Sequence, residues 1–354
     1  MRGFRDRDFI RTQECFLFCV VGPYHPIERV ISYLKYVPSE LGSWGRGKEH
    51  FSRVMRSYTI PSLLETFRLL ESDHSQYLFH SNVYNITISA VPHEYIIKHY
   101  KPEKTLAQIF QKSHPDLLQE KLRKFVFFLA ETSGVGLESF GVTGSILLDI
   151  HRPEFSDMDI TIYGLVDSLQ LKRALMEMNP SSDSGFRRFE GEGLKAWCKS
   201  KTRNFPLTMS EALKIYERKW NFGIFEDTLF SIHPIKLEQE VNMTYGDEVY
   251  YPFGQVMVRA VVHDEKDSMF LPAVYQVEDV DILDGPPIEG IGEVVSFEGL
   301  YGDLAEVGQT IVVKGKLERT VRKRDNHEHY RILVGSPEGR GTEYIKLLPQ
   351  KNNL

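Results

Sequence analysis

Two aspartates separated by one residue are the residues of this chain whose types and spacing most directly suggest chemistry. In the segment Ser156-Asp157-Met158-Asp159-Ile160-Thr161-Ile162, apolar side chains alternate with polar ones, which indicates a strand with two different faces. Asp157 and Asp159 would then lie on the same side of the strand, roughly 7 Å apart at their Cα atoms. Carboxylates that close repel each other unless a cation lies between them. Oxygen ligands with no neighbouring His or Cys pattern favour Mg²⁺ or Mn²⁺ as that cation.

A glycine-containing turn precedes the two aspartates. The segment Phe140-Gly141-Val142-Thr143-Gly144-Ser145 predicts a short strand that turns into a helix at Ile146-Leu147-Leu148. Free amides at the start of a helix and the helix dipole favour an anion beside Gly144, and the Ser145 hydroxyl adds a donor. A phosphate site 12 residues before a two-carboxylate metal site is the combination that chemistry on nucleoside triphosphates requires.

These two half-motifs resemble the signature of the nucleotidyltransferase superfamily, which includes DNA polymerase beta and the CCA-adding enzymes. That signature is a hydrophobic residue, Gly-Ser, about ten further residues and then Asp-hydrophobic-Asp. Gly144, Ser145, Asp157 and Asp159 match it position by position. Other segments, among them Phe230-Ser231-Ile232-His233-Pro234, are similar to an uncharacterised archaeal branch of the superfamily.

The resemblance implies an enzyme that transfers an NMP from an NTP to an acceptor hydroxyl with the help of Mg²⁺ or Mn²⁺. Asp157 and Asp159 would hold the metal, and Gly144 and Ser145 would hold the β- and γ-phosphates of the nucleotide. The expected acceptor is a nucleic-acid end, RNA in the first place. Transfer to a protein or a small molecule is one alternative, and a catalytically silent nucleic-acid-binding module is another.

The third carboxylate that active members of the superfamily usually carry is missing from its expected strand. Thr228–Ile235 is the predicted strand, and its polar face carries Leu229, Ser231 and His233, none of them acidic. His233 is a candidate ligand or base, with a hydrogen-bonded structural role as the alternative. The acids that flank the strand, and that could supply the third carboxylate from a strand end, are Asp227, Glu238 and Glu240.

The elements around these motifs predict an α+β protein of three parts, and 354 residues are enough for two or three domains. Residues 1–100 are expected to form a small α+β domain. Residues 101–240 combine strands with helix-length apolar patterns, as expected of a nucleotidyltransferase-type mixed sheet with helices. Residues 241–354 consist of short alternating runs between turn clusters, a pattern typical of a small β-barrel-like domain.

Basic residues gather in two places although the net charge is −6. That net charge excludes a uniformly basic, histone-like protein, but a partner responds to local charge rather than to the total. One basic stretch covers 187–219, beside the predicted metal strand. The other is the tip of a predicted hairpin, where Arg322, Lys323 and Arg324 are candidates for contact with RNA or DNA. The alternative is an edge hairpin that its charges protect from aggregation.

The cysteine content and the hydropathy predict a cytoplasmic protein that does not enter the membrane. The three cysteines are odd in number and include no C-x-x-C pair, which favours a reducing compartment. The amino terminus is charged, and no apolar run approaches the ~18 residues that a membrane span needs. The sequence does not predict an oligomeric state.

Overall fold

The computed structural model of the chain describes residues 2–55, 57–178 and 185–349. Helices and strands are both abundant in these ranges, so the protein is of the mixed α+β class that the sequence predicts. The strands form three sheets, drawn from residues 9–100, 140–235 and 248–347. The domain boundaries at 100 and 240 stay predictions.

The first sheet has eight strands, and one long helix packs against it. Its central path runs β4-β5-β3-β2-β1-β8, and β7 pairs with both β3 and β6. The elements are β1 (Phe9–Thr12), β2 (Leu17–Val20), β3 (Arg29–Pro38), β4 (Trp44–Arg46), β5 (Glu49–Arg53), α1 (Ile60–Asp73), β6 (Leu78–Ser81), β7 (Ile86–Pro92) and β8 (Ile96–Tyr100).

Strand β3 is buried on both of its faces, because the first sheet packs against helix α1 on one side and against the middle of the chain on the other. Leu34 belongs to an apolar cluster that includes Leu70 of α1. Tyr36 belongs to a second cluster that includes Leu147 and Ile150, which follow the Gly144-Ser145 turn. The first sheet therefore lies directly against the predicted phosphate turn.

The second sheet has five strands in the order β11-β12-β13-β10-β9. Strands β10 and β13 are parallel neighbours at its centre, and the other pairs are antiparallel. The elements of this region are α2 (Pro102–Gln111), α3 (Leu117–Ser133), β9 (Phe140–Val142), α4 (Gly144–Leu147), β10 (Met158–Tyr163), α5 (Leu165–Glu177), β11 (Phe186–Arg187), α6 (Gly191–Asn204), α7 (Met209–Arg218), β12 (Phe222–Phe225) and β13 (Thr228–Ile235).

The helix predicted after Gly144 is a single turn, which corrects the sequence-based expectation. α4 ends at Leu147, and the chain reverses at Asp149, whose φ is +55°. Four residues are too few to build a helix dipole of useful size, because the dipole is a sum over aligned peptides. Anion binding at this turn would therefore depend on its individual backbone amides and on the Ser145 hydroxyl.

The third sheet closes on itself as a small barrel. Strand β14 pairs with β15 and with β17, and the five strands form the circuit β14-β15-β16-β18-β17. Strands β16 and β18 are parallel, and β19 is added beside β17. The strands are β14 (Glu248–Asp264), β15 (Ala273–Asp284), β16 (Ile291–Ser296), β17 (Thr310–Arg322), β18 (His327–Val334) and β19 (Tyr344–Leu347).

The three sheets pack around one cleft of about 1290 Å³. The barrel joins the first sheet where the rings of Tyr250 and Tyr84 stack, with 5.5 Å between their centroids. It joins the second sheet where Asp303 accepts a hydrogen bond from Trp220 Nε1 at 2.7 Å and pairs with Lys172. Side chains from all three sheets line the cleft, so a ligand bound there would contact all three parts of the chain.

Candidate active site

Asp159 lies at the centre of the second sheet, where strand β10 is flanked by β9 and β13. The parallel register places Ser231 of β13 directly beside it. Ser231 Oγ donates a hydrogen bond to Asp159 Oδ1, and His233 Nε2 lies 2.9 Å from the same Ser231 oxygen. An ionised carboxylate can only accept, so the single Ser231 proton goes to Asp159 and His233 Nε2 must carry the proton that Ser231 accepts. His233 therefore fixes the orientation of the Ser231 hydroxyl, and that hydroxyl fixes the orientation of the Asp159 carboxylate.

Gly144 is pressed against the Asp159 carboxylate. Its φ is +68°, a conformation that glycine adopts freely, and a Cβ at this position would overlap Asp159 Oδ2. The backbone is held there because Thr143 N donates to the Asp159 carbonyl oxygen at 2.9 Å. The backbone of Gly144 is therefore in contact with the Asp159 carboxylate. A phosphate bound at the turn and a metal ion bound to the carboxylate would be neighbours in this arrangement.

Asp157 stands one position before strand β10, at the exposed mouth of the cleft. The loop that leads to it is closed by Ser156, whose backbone and hydroxyl both bond the backbone of Arg152. The negative charge of Asp159, helped by partial burial, raises the pKa of Asp157 to about 6. The two carboxylates therefore repel each other, as the sequence predicts for a pair without a cation between them.

The pKa of Asp159 moves in the opposite direction. Burial acts to raise it, but His233 and the Lys35 ammonium act against burial and hold the pKa of Asp159 below its usual range. Burial, with the charge of Arg7, lowers the pKa of His233 to about 4. At neutral pH the site therefore holds an ionised Asp159 and a neutral His233, which suits the hydrogen-bond directions above.

Each acid predicted as a third carboxylate is engaged elsewhere. Asp227 forms an ion pair with Arg187 and is 86% exposed, and Glu238 pairs with Arg5. Glu240 accepts hydrogen bonds from the Leu165 and Leu237 amides, at 2.8 and 2.9 Å. Within residues 2–55, 57–178 and 185–349, no three His, Cys, Asp or Glu side chains are grouped closely enough to hold a metal ion. The oxygen donors present are those of two carboxylates, and Asp157 and Asp159 would be the ligands if a divalent cation bound here.

Three cations from the first part of the chain line the same cleft, and sequence reasoning missed all three. Arg7 is tied to the Gly144-Ser145 turn, because Thr143 Oγ1 donates to its carbonyl oxygen at 2.7 Å. Lys35 lies on β3 and Arg53 at the end of β5, and both face the aspartates. The available signal was a lysine, the one charged residue within the mostly apolar run Val30–Val37.

The basic stretch at 187–219 contributes less to the cleft than the sequence suggests. The Arg188 guanidinium donates hydrogen bonds to the carbonyl oxygens of Tyr216 and Lys219. The buried Lys219 ammonium donates to the Gly302 carbonyl oxygen. Lys201 does line the cleft, with its ammonium 5.1 Å from the Trp197 ring centroid. Helix α6, which carries both, was not predicted as a helix.

The predicted basic hairpin is present as the turn between β17 and β18. Arg322 lines the cleft and is paired with Glu248 at 3.2 Å. Lys323 and Arg324 are exposed at the tip, and Arg324 lies 3.7 Å from Asp325. Two of the three predicted contact residues are therefore exposed to solvent.

The fold and the cleft define a mixed α+β protein in which a carboxylate pair, a glycine turn and several cations converge between three sheets. The uncharacterized protein MJ1086 of Methanocaldococcus jannaschii is 30% identical to this chain over 347 residues, which are 97% of this chain and 98% of that protein. The chain belongs to the same family as that protein. No family model matches the chain, and no solved structure matches it. No helix in the described ranges is long and apolar enough to cross a membrane.

Proposed function

We propose that this protein is a Mg²⁺-dependent nucleotidyltransferase of the superfamily that includes DNA polymerase beta. The observation that carries the proposal is the contact between Gly144 and the Asp159 carboxylate. It brings the amides of a left-handed turn next to a carboxylate pair at the centre of a sheet. A triphosphate bound through Mg²⁺ needs amide donors for its phosphates close to carboxylates for its metal ion.

The roles of the residues follow from their chemistry. Asp157 and Asp159 would hold Mg²⁺, which supplies charge neutralisation and lowers the pKa of an attacking hydroxyl when it is bound. The Ser145 hydroxyl and the turn amides would bind the β- and γ-phosphates of the NTP. The acceptor hydroxyl would release its proton to water as its oxygen forms a bond to the α-phosphorus. The bond from that phosphorus to the bridging oxygen of the β-phosphate would break, and pyrophosphate would leave.

Ser231 and His233 occupy the position where a third carboxylate is usual. Their hydrogen bonds orient Asp159, which makes His233 a positioning residue: its Nε2, which lies 3.8 Å from Asp159 Oδ1, donates its proton to Ser231 and has no lone pair for a metal ion. A site with two carboxylates binds a divalent cation more weakly than a site with three. We therefore expect the nucleotide's phosphates to provide much of the metal coordination.

The barrel supports a nucleic-acid acceptor. A five-strand circuit in which the third and fifth strands are parallel is the strand order of the OB-fold, a barrel that recurrently binds single-stranded nucleic acid. The β17–β18 turn with Arg322, Lys323 and Arg324 is one of the two loops that such barrels use. The barrel also lines the cleft that holds the aspartates, so an end bound to it could reach them.

Transfer of label from each α-phosphate-labelled NTP tests the proposal, with Mg²⁺ or Mn²⁺ and total RNA as acceptor. Asp157→Asn and Asp159→Asn should abolish incorporation, whereas Asp281→Asn, an exposed carboxylate of the barrel, should not. Label in RNA supports the nucleic-acid acceptor, and label in protein would point to a protein acceptor. Incorporation by the Asp157→Asn/Asp159→Asn double variant at the rate of the parent would refute the assignment.

A further inference from the structure

The side chain of Lys35 is largely buried, and its ammonium opens onto the cleft without a partner in the described ranges. It is 4% exposed, yet no hydrogen bond or ion pair links its ammonium to any residue of the described ranges. Its Nζ lies instead near three aromatic rings, at 5.4 Å from Phe9, 5.7 Å from Tyr36 and 5.4 Å from Tyr58. A charge is rarely buried without a partner, because desolvation costs several kcal/mol that rings alone do not fully offset.

Lys35 nevertheless keeps its proton. Burial acts to lower the pKa of Lys35, but the negative charges of Asp159 and of Tyr58 and Tyr36 when these tyrosines are ionised outweigh burial, and that pKa is raised. The cation is therefore permanent at neutral pH. It lines the cleft, and its charge acts on both Asp157 and Asp159.

Two arginines beside Lys35 also lack a full set of partners. Arg53 Nε donates to the Met55 carbonyl oxygen, and its guanidinium lies 5.2 Å from the Tyr58 ring, without a carboxylate in the described residues to pair with it. Arg7 Nε lies 3.4 Å from Asp6 Oδ2, but this buried nitrogen makes no hydrogen bond within the described chain. The first part of the chain thus presents three cations whose bonding capacity is not fully used.

These cations are not counter-ions of the aspartates. Ion pairs within 4.0 Å join neither Asp157 nor Asp159 to a lysine or arginine of the described ranges. A gap therefore separates Asp157 and Asp159 from Lys35 on β3 and Arg53 on β5. A group with several negative charges would fill it, with a divalent cation on its carboxylate side and Lys35 on the other.

We propose that Lys35, assisted by Arg53, binds the phosphate oxygens of the nucleotide's triphosphate, so that the first sheet completes the active site. This inference rests on the proposed function for the identity of the phosphate donor. It gives residues 1–100 a role that the sequence left open. It also explains why the sheet packs against the Gly144-Ser145 turn, since the two phosphate-binding elements must keep a fixed spacing.

Lys35→Met tests the proposal, because methionine keeps an unbranched apolar side chain of nearly the same length and removes the ammonium group. Lys98→Met is the matched control. Lys98 lies on β8 of the same sheet and is exposed, and its ammonium lies 4.3 Å from the centroid of the Tyr100 ring. The probes are a non-hydrolysable NTP with Mg²⁺ and inorganic tripolyphosphate, both titrated calorimetrically. Lys35→Met should weaken both by about tenfold or more, and Lys98→Met should weaken neither.

Thermal unfolding separates this role from a structural one. Removal of a buried cation without a partner should leave the unfolding temperature of Lys35→Met equal to that of the parent or higher. An unchanged affinity for both probes would overturn the inference, and so would a lower unfolding temperature together with weaker binding. Lys35→Arg should restore part of the affinity, because it restores the charge.

Two further outcomes distinguish this inference from the proposed function. Lys35-dependent binding of tripolyphosphate by a protein that transfers no label would uphold the phosphate site and refute nucleotidyl transfer. Loss of affinity for a single-stranded oligonucleotide, with tripolyphosphate binding unchanged in Lys35→Met, would assign the site to acceptor phosphates and overturn the inference.

Discussion

Ser231 of strand β13 lies beside Asp159 of strand β10 and donates a hydrogen bond to its carboxylate. The parallel register makes these two residues direct neighbours, so any side chain at position 231 points at the same space as Asp159. A serine there orients the carboxylate without adding charge. The position therefore controls how many acidic ligands the site offers to a cation.

Replacement of Ser231 by aspartate should create the third carboxylate. Ser231→Asp is expected to bind Mn²⁺ about tenfold more tightly than the parent, since a third anionic oxygen ligand adds directly to the attraction for a divalent cation. Leu169→Asp is the control, because it adds the same charge on the exposed surface of α5, away from the residues that line the cleft. Equal affinities of the two variants in a calorimetric titration would show that position 231 does not face the metal.

Gly144 should not tolerate even an added methyl group. Gly144→Ala forces a Cβ into Asp159 Oδ2 at a φ of +68°, and we expect a loss of about 1–3 kcal/mol in the free energy of unfolding. Gly193→Ala provides the comparison, because Gly193 lies within α6 and a Cβ there meets open space. That variant should gain up to about 1 kcal/mol. Denaturant unfolding measures both, and a Gly144→Ala protein as stable as the parent would contradict the close approach of Gly144 to Asp159.

Local patterns predict the core of the site because its determinants are close in sequence. The alternation around Asp159 predicts strand β10, and the predicted strand Thr228–Ile235 has the bounds of β13. Strand β15, Ala273–Asp284, escapes prediction because acidic residues interrupt its apolar face. Thr208 caps the amino terminus of α7, because its hydroxyl and the Glu211 side chain form a reciprocal capping box.

Long-range contacts explain what the sequence does not predict. Lys35 is 124 residues from Asp159, and only the packing of the first sheet on the Gly144 turn brings them to one cleft. Similarly, the sequence presents Glu238 as an unpaired acid near β13. In the structure it forms an ion pair with Arg5, which comes from the amino-terminal part of the chain. Such partners come from tertiary structure, and no short-range pattern in a single sequence encodes them.

A buried glutamate in the barrel should make the stability of the protein fall as the pH rises. Burial, together with the neighbouring Glu343 carboxylate, raises the pKa of Glu298 from its usual 4.5 to about 8. Between these two values the folded chain holds a proton that the unfolded chain has released. The stability associated with Glu298 is therefore present below pH 4.5 and is lost progressively up to about pH 8.

Glu298→Gln removes this dependence, because glutamine has no proton to lose. The variant should match the parent near pH 4 and exceed its free energy of unfolding by about 3–5 kcal/mol near pH 9. Glu289→Gln, at an exposed glutamate of the same barrel, should follow the parent at every pH. Chemical unfolding across this pH range is the measurement, and parallel curves for Glu298→Gln and the parent would contradict the buried proton.

The exposed pair at the hairpin tip should set the salt dependence of nucleic-acid binding. Lys323→Gln/Arg324→Gln removes two cations that face solvent, and each phosphate that the hairpin no longer neutralises lowers the number of counterions released on binding. We expect weaker retention of single-stranded RNA and a slope of log K against log salt that is smaller by about 1 to 1.5. Arg259→Gln/Lys266→Gln removes two cations elsewhere on the barrel, where both are paired with aspartates, and should leave the slope unchanged. Equal slopes for the parent and both double variants, measured by filter retention at several salt concentrations, would exclude the hairpin as the surface that binds nucleic acid.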